Sequence, residues 1–375
     1  MGAIGLTRTL EGTDRVDMTL RRILKGSLQA GASDVHLRAG RAPMVRLEGQ
    51  LRRLEHPDLD APQIARMTSL LAQWAGVDDA RLEQRQCDFA CEVGSVGRFR
   101  VHAYRESNAC ALAMRAIPSP IPDFATLRVP PVVKSLANLQ RGLILVAGAT
   151  GNGKSTTIAS LLERVNHEHA RHIVTVESPV EFLFDERQST FSLREIGRDV
   201  DDTESGLYGA LREDPDWIFV SEIRNGAELE LALGAAEAGH VVISSLHASD
   251  ATRAIHRMIH FYPQGRRDAV RHRLADSLAA IICQRLVVRR GSPERILAAE
   301  ILMRSPTVSD CIRHENRLKG LSKALEVGTS EYGTQTFDQQ LLRYVRDGVV
   351  ELDTARAAAS HPNDLARAAQ MSGRR

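Results

Sequence analysis

Two periodicities divide the 375-residue chain. In the first part, Leu20, Ile23, Leu24 and Leu28 recur at helical spacing and predict a helix over 18–31. Ala32-Ser-Asp34-Val-His36-Leu then alternates like a strand, and a turn over 39–43 follows. Residues 44–54 read as a hairpin turning at Glu48-Gly49, 62–75 as a helix, and 89–115 as alternating strands. This is the pattern of an α plus antiparallel-β domain over 18–117. Pro118, Pro120, Pro122, Pro130 and Pro131 then punctuate 118–140, which reads as an interdomain linker because proline is barred from helix and sheet interiors.

From Arg141 the rhythm changes. Short apolar runs (143–146, 171–176, 217–220, 241–245) alternate with helical stretches (156–165, 204–213, 227–238), with a hairpin-like segment reaching Leu193. Strands alternating with helices predict a parallel sheet covered on both faces, so 141–365 is expected to be an α/β domain with C-terminal helices. Residues 1–17 and 366–375 read as loose tails.

Composition changes this picture little. The chain is 43% hydrophobic and 26% charged with a net charge of +2, which leaves no electrostatic footprint for nucleic acid or an anionic membrane. No run approaches the ~18 apolar residues of a bilayer span, and the N-terminal stretch has no secretory signal, so a cytoplasmic location is expected. The 5 cysteines are scattered and read as small buried thiols, with Cys87-x-x-x-Cys91 lacking a second ligand pair.

The chemistry begins where the strand 143–146 ends. Gly148-Ala149-Thr150-Gly151-Asn152-Gly153-Lys154-Ser155 fits G-x-x-x-x-G-K-[ST], with Thr156 opening the helix behind it. Such a loop turns successive backbone N–H groups onto phosphate oxygens, and the helix adds the positive end of its dipole. Lys154 is expected to reach the β and γ phosphates and the Ser155 hydroxyl to ligate Mg²⁺, so ATP and Mg²⁺ are the expected cofactors.

Three further groups stand after apolar runs: Glu181 beyond 171–176, Glu222 beyond 217–220, and His247 beyond 241–245. Ligands of open parallel sheets sit outside the carboxyl ends of the strands, so all three are expected to converge on the γ-phosphate. Glu181 would orient the attacking water, Glu222 hold Mg²⁺ through its waters, and His247 donate to the γ-phosphate. Each alone has a plainer reading, a helix-capping acid or a hydrogen-bonded histidine; their grouping favours a site. His240 is a further candidate, and Asp216, which heads its strand, reads as structural. A strand ending in acids intervenes in sequence between the phosphate loop and the 217–220 strand. Motor ATPases of the RecA-like class separate those two strands in this way, whereas small-molecule kinases keep them adjacent. Arg98, Arg100 and Arg115 are candidates for a charge supplied in trans, against the plainer reading of a solvated basic edge.

With GATGNGKST (148–156), TVESPVEF (175–182), LREDPDWIFVSEIRN (211–225) and GHVVISSLHA (239–248), the chain resembles the secretion and pilus ATPases of the type II/IV superfamily, and among them the PilT-type pilus-retraction motors. ASDVHLRAG (32–40), GRFRVHAY (97–104) and TQTFDQQLL (334–342) fit as well. The resemblance implies a PAS-like N-terminal domain joined to a RecA-like domain, and a homo-hexameric ring at the cytoplasmic face of the inner membrane. It also implies neighbouring subunits that contribute arginines, a pilus inner-membrane platform protein as partner, and twitching motility as the output. Glu181 matches the acidic-box glutamate, Glu222 the Walker B glutamate, and His240 with His247 the histidine box. The chain departs from the family pattern at Ser178, Ser221, Asn225 and Asn108. Ser178 and Asn108 motivate the alternative of an accessory, PilU-like subunit serving a second paralogous ATPase. The weakly matching segment 307–314 motivates a Dot/Icm-like secretion ATPase.

Overall fold

The alternation along the first part of the chain folds as an antiparallel sheet. In the computed structural model, which describes residues 7–82 and 84–372, six strands are formed: β1 (Asp34–Arg38), β2 (Met44–Leu47), β3 (Gln50–Arg53), β4 (Gln86–Val93), β5 (Gly97–Glu106) and β6 (Ala109–Ile117). They order as β3-β2-β1-β6-β5-β4, each pair antiparallel. Alternate residues of β4 and β5, among them Phe89, Cys91, Phe99 and Val101, are buried. Helices Thr7–Gln29 and Ala61–Ala75 supply the apolar side chains packed with them, including Leu20, Leu24, Ile64, Met67 and Leu71. A reciprocal Asp60–Gln63 capping box starts the second helix and Gly76 ends it. The first helix begins earlier than its spacing indicates, which makes 7–17 helical rather than a loose tail; residues 1–6 lie outside the described residues.

Seven strands form the second sheet: β7 (Gly142–Ala147), β8 (His172–Glu177), β9 (Thr190–Glu195), β10 (Trp217–Val220), β11 (Val241–Leu246), β12 (Leu278–Val288) and β13 (Arg295–Met303). The order is β13-β12-β7-β11-β10-β8-β9, parallel throughout except for the β12–β13 pair. Every residue of β7 and β11 is buried. On β7, Leu143 and Leu145 enter one core with Leu229, Ile255 and Leu274, whereas Ile144 and Val146 enter the opposite one with Ile158, Leu162 and Val165. Burial on both faces explains why the strand reads as an unbroken apolar run.

Four expectations are corrected. The strand separating β7 from β10 is β11, not the acid-ended β8, which lies beyond β10. Crossover connections skip positions in a sheet, so sequence order does not give spatial order. The stretch to Leu193 is no hairpin: β9 runs parallel to β8, register His172↔Thr190 to Glu177↔Glu195. The expected linker 118–140 is only partly a connector. Phe124, Val129, Val133 and Leu136 are buried in the core beside helix Lys154–Glu168, and the second half forms a 3₁₀ helix, Pro131–Asn138. At the other end, residues 366–372 continue helix Pro362–Ser372, and 373–375 lie outside the described residues.

Contacts divide the chain into two units. One runs to Pro120 and includes Ser178–Leu183; the other comprises Ile121–Glu177 and the chain from Phe184 onward. The α/β class holds: a PAS-like antiparallel unit and a RecA-like, mainly parallel one.

One buried acid of β13 makes stability pH-dependent. Glu300 accepts the Ala251 N–H at 2.8 Å. Burial pushes its carboxyl up to about 7, and the charges of Asp250 and Asp338 push the same way; the Ala251 bond and Arg285 oppose them. The native value lies above the unfolded one of 4.5. The native state therefore holds the extra proton, and stability present below pH 4.5 is lost as pH rises through about 7. Glu300→Gln removes that slope. Denaturant melts of the two proteins should show the variant more stable than wild type at pH 8, by on the order of 1 to 3 kcal/mol.

Candidate nucleotide site

The carboxyl edge of the second sheet gathers the motif residues because β7 and β11 end level there and β10 stops two residues short of them. Leu246 of β11 is in register with Ala147 of β7, and Ser244 with Val220 of β10. The next residues of the three strands are therefore Gly148, Ser221 and His247. Gly148 N–H donates to the Leu246 carbonyl at 3.3 Å, which fastens the start of the phosphate loop to the strand that carries His247.

The loop is shaped by β12. A Cβ at Gly148 (φ +151°) would stand 2.7 Å from the Gln284 carbonyl oxygen, closer than real atoms approach. Asn152 Nδ2 donates to that same oxygen at 3.1 Å, and Gln284 Nε2 donates to Thr157 Oγ1 at 2.6 Å. Gly153 (φ +80°) turns left-handed into helix Lys154–Glu168, whose N-terminus carries no side-chain cap. A Cβ at Gly151 or Gly153 would meet nothing within 4 Å. Uncapped helix N–H groups, open space over the glycines and an adjacent ammonium form a donor set that fits a phosphate chain. Lys154 Nζ donates to the Gly148 and Ala149 carbonyl oxygens, at 2.9 and 3.2 Å, and so arches over the loop. Thr150 and Gly151 are exposed; Ser155 and Thr156 are half-buried at the helix start.

Glu222 stands at this edge between two basic side chains. Its side chain is 17% exposed, with Oε1 3.4 Å from His247 Nε2 and Oε2 accepting from Arg224 Nε at 3.2 Å. Two main-chain contacts fix its backbone: Ser221 N–H donates to the Val176 carbonyl, and Ile223 N–H to that of Ser245. Glu222 and His247 are thus brought together, and Arg224, which the sequence did not single out, joins them. Asn225, a departure from the family pattern, N-caps helix Gly226–Ala238 by accepting the Glu228 N–H, work an aspartate would do equally.

Glu181 has different company. It belongs to the first unit, where Arg100 Nη1 donates to its Oε1 at 2.7 Å. Arg98 Nε and Nη2 donate to the Glu181 and Val180 carbonyls, both at 2.7 Å. Arg98 and Arg100 are two apart on β5 and share a face, and Arg115 of β6 is the cross-strand partner of Arg100. Arg115 itself donates to Asp34 Oδ1 at 2.9 Å. The three candidate arginines therefore lie on one face of the first sheet.

His240 is not brought to the phosphate loop. It precedes β11, whereas His247 follows it, so the two stand at opposite edges of the sheet, roughly 20 Å apart at the strand rise per residue. There His240 Nδ1 is 2.7 Å from the Pro215 carbonyl oxygen. Asp216, at the same amino edge, accepts from Arg171 Nη1 and from the His172 N–H.

Among the described residues no helix is long and apolar enough to cross a membrane. Comparison with known proteins gives a consistent result. The family described as "Type II/IV secretion system protein" matches residues 9–347. The chain is 36% identical to the type IV pilus retraction ATPase PilT of Pseudomonas aeruginosa, over 93% of its own length and 100% of that protein's. It is 35% identical to a twitching motility protein of Neisseria gonorrhoeae, over 86% of each. A crystal structure of the pilus retraction motor PilT with bound ADP superposes with a TM-score of 0.81, at 37% identity, over 92% of this chain and 98% of that one. The chain belongs to the type II/IV secretion system ATPase family.

Proposed function

We propose that the protein is the ATP-hydrolysing subunit of a motor, a homo-hexamer in the cytoplasm at the inner face of the membrane, that powers type IV pilus retraction and so twitching motility. The observation that carries this reading is the shared edge of β7, β10 and β11. An uncapped glycine loop with its lysine stands there beside the Glu222–His247 pair, in a chain that aligns over 93% of its length with a retraction ATPase.

When bound, Mg²⁺·ATP supplies the phosphoanhydride bond whose hydrolysis drives the cycle. Lys154 leaves the Gly148 and Ala149 carbonyls to hold phosphate oxygens, while the N–H groups from Gly151 to Thr156 line the phosphate chain. Ser155 Oγ would ligate Mg²⁺, and Glu222 would hold it through water. His247, held against Glu222, offers its ring N–H to the terminal phosphate. Glu181 acts as the carboxylate that orients water. Arg98, Arg100 and Arg115 are the face from which one subunit offers positive charge to its neighbour's phosphates. The platform protein of the pilus is the partner, and membrane contact runs through it. Ser107 and Asn108 (φ +49° and +64°) form the two-residue turn joining β5 to β6, a conformation asparagine tolerates.

Lys154→Ala should abolish ATP turnover in a phosphate-release assay while leaving the circular dichroism spectrum and melting temperature unchanged; persistent turnover sinks the site assignment. Gly148→Ala should weaken adenine-nucleotide affinity at least tenfold by fluorescence titration, because the loop must leave the Gln284 carbonyl. Deleting the gene should leave surface pili in place and stop twitching spread. A strain that still twitches but loses protein export would point to a secretion apparatus instead.

A further inference from the structure

β12 runs parallel to β7 but is longer. Cys283 pairs with Ala147, the last residue of β7, so Gln284 and Arg285 are the first residues to project beyond it. These neighbours hold different parts of the nucleotide edge. Gln284 holds the phosphate loop through Asn152. Arg285 Nη2 donates to the carbonyl of Ser249, two residues after His247, at 3.1 Å. The same guanidinium lies 3.8 Å over the ring of Phe337, and its Nη1 donates to the carbonyl of Ala358.

Phe337 and Ala358 belong to the C-terminal helices. Phe337 is fully buried at the start of helix Phe337–Arg346, and Ala358 ends helix Leu352–Ala358. Asp338 joins the two by accepting the N–H groups of Ser360 and His361, at 2.7 and 2.9 Å. From β13, Glu300 holds the Ala251 N–H at the far end of the His247 loop. The loop 247–251 is therefore anchored on both sides, and one anchor is shared with the C-terminal helices. A planar guanidinium carries its donors in a fixed fork, so the two carbonyls it bridges cannot move independently.

We propose that Arg285 is a positioning residue that couples the His247 loop to the C-terminal helices 337–372, so that His247's engagement with a terminal phosphate is transmitted to those helices and they in turn set the reach of His247. This rests on His247 facing the nucleotide, as in the function proposed above. A structural staple would make the same contacts but would not change which nucleotide is preferred.

The test is a double-mutant cycle on the full-length protein with Mg²⁺, titrating ADP and the non-hydrolysable analogue AMP-PNP into wild type, Arg285→Met, His247→Ala and the pair. Methionine keeps the apolar contact with Phe337 and removes the donors. Wild type should prefer the triphosphate; each single variant should lose roughly tenfold of that preference with ADP affinity within about twofold, and the double variant should lose no more. Amide exchange over 337–372 should slow on AMP-PNP binding in wild type and be indifferent to it in Arg285→Met. If Arg285→Met does not fold, Arg285→Lys, which keeps the charge but has a single donor centre, takes its place in the cycle with the same expectation. Additive losses, or an exchange response that survives in the variant, overturn the coupling. Nucleotide affinity unaffected by Lys154→Ala overturns instead the site on which it rests, and the two failures are thereby told apart.

Discussion

One main-chain oxygen sets the geometry of the phosphate loop. The carbonyl of Gln284 lies so near Gly148 that no side chain fits between them, and it also takes the amide of Asn152. The loop is pressed against β12 at its first residue and tied to it at its fifth, with open space over Gly151 between them and Gly153 just after. Everything else at the edge is measured from this contact. β7 is locked in the middle of the sheet by apolar burial on both faces, at roughly 1.5–3 kcal/mol for each large side chain. β11, equally buried, brings His247 out beside the loop, and β10 brings Glu222 to His247.

The chemistry at this edge is a matter of shared partners. Glu222 lies between an imidazole and a guanidinium, so its carboxylate is oriented before any ligand arrives. Lys154 likewise has interim acceptors in the loop carbonyls, where its charge is stabilised without a phosphate. A lysine held this way would exchange one hydrogen bond for another on meeting a phosphate, and the reorganisation needed at that moment would be small.

Local features were legible in the sequence and non-local ones were not. The phosphate loop, the apolar strands before and after it, the hairpin at Glu48-Gly49 and the helix 62–75 each announce themselves within a dozen residues, by glycine spacing or periodicity. Spatial strand order does not: β11 follows β8 and β10 in sequence yet fits beside β7, and the acidic β8 is pushed outward. β12 and β13 went unread because a long apolar run such as 278–288 suits a buried helix as well as a strand. The position of His240 was recoverable, since a residue before a parallel strand lies at the edge away from the ligand. Gln284 and Arg285 carried no local signal, because the loops they hold are distant in sequence and Gln284 acts on the phosphate loop through its main chain.

The grip of β5 on residues 180 and 181 mixes two kinds of recognition. Arg98 bonds there to main-chain oxygens, which every amino acid presents alike, whereas Arg100 bonds to the carboxylate of Glu181. Position 181 is answerable to its side chain through this ion pair, whereas Val180 and Phe182 beside it are answerable through burial. Over evolutionary time, exchange at Glu181 should demand an answering exchange at Arg100, and none at Arg98.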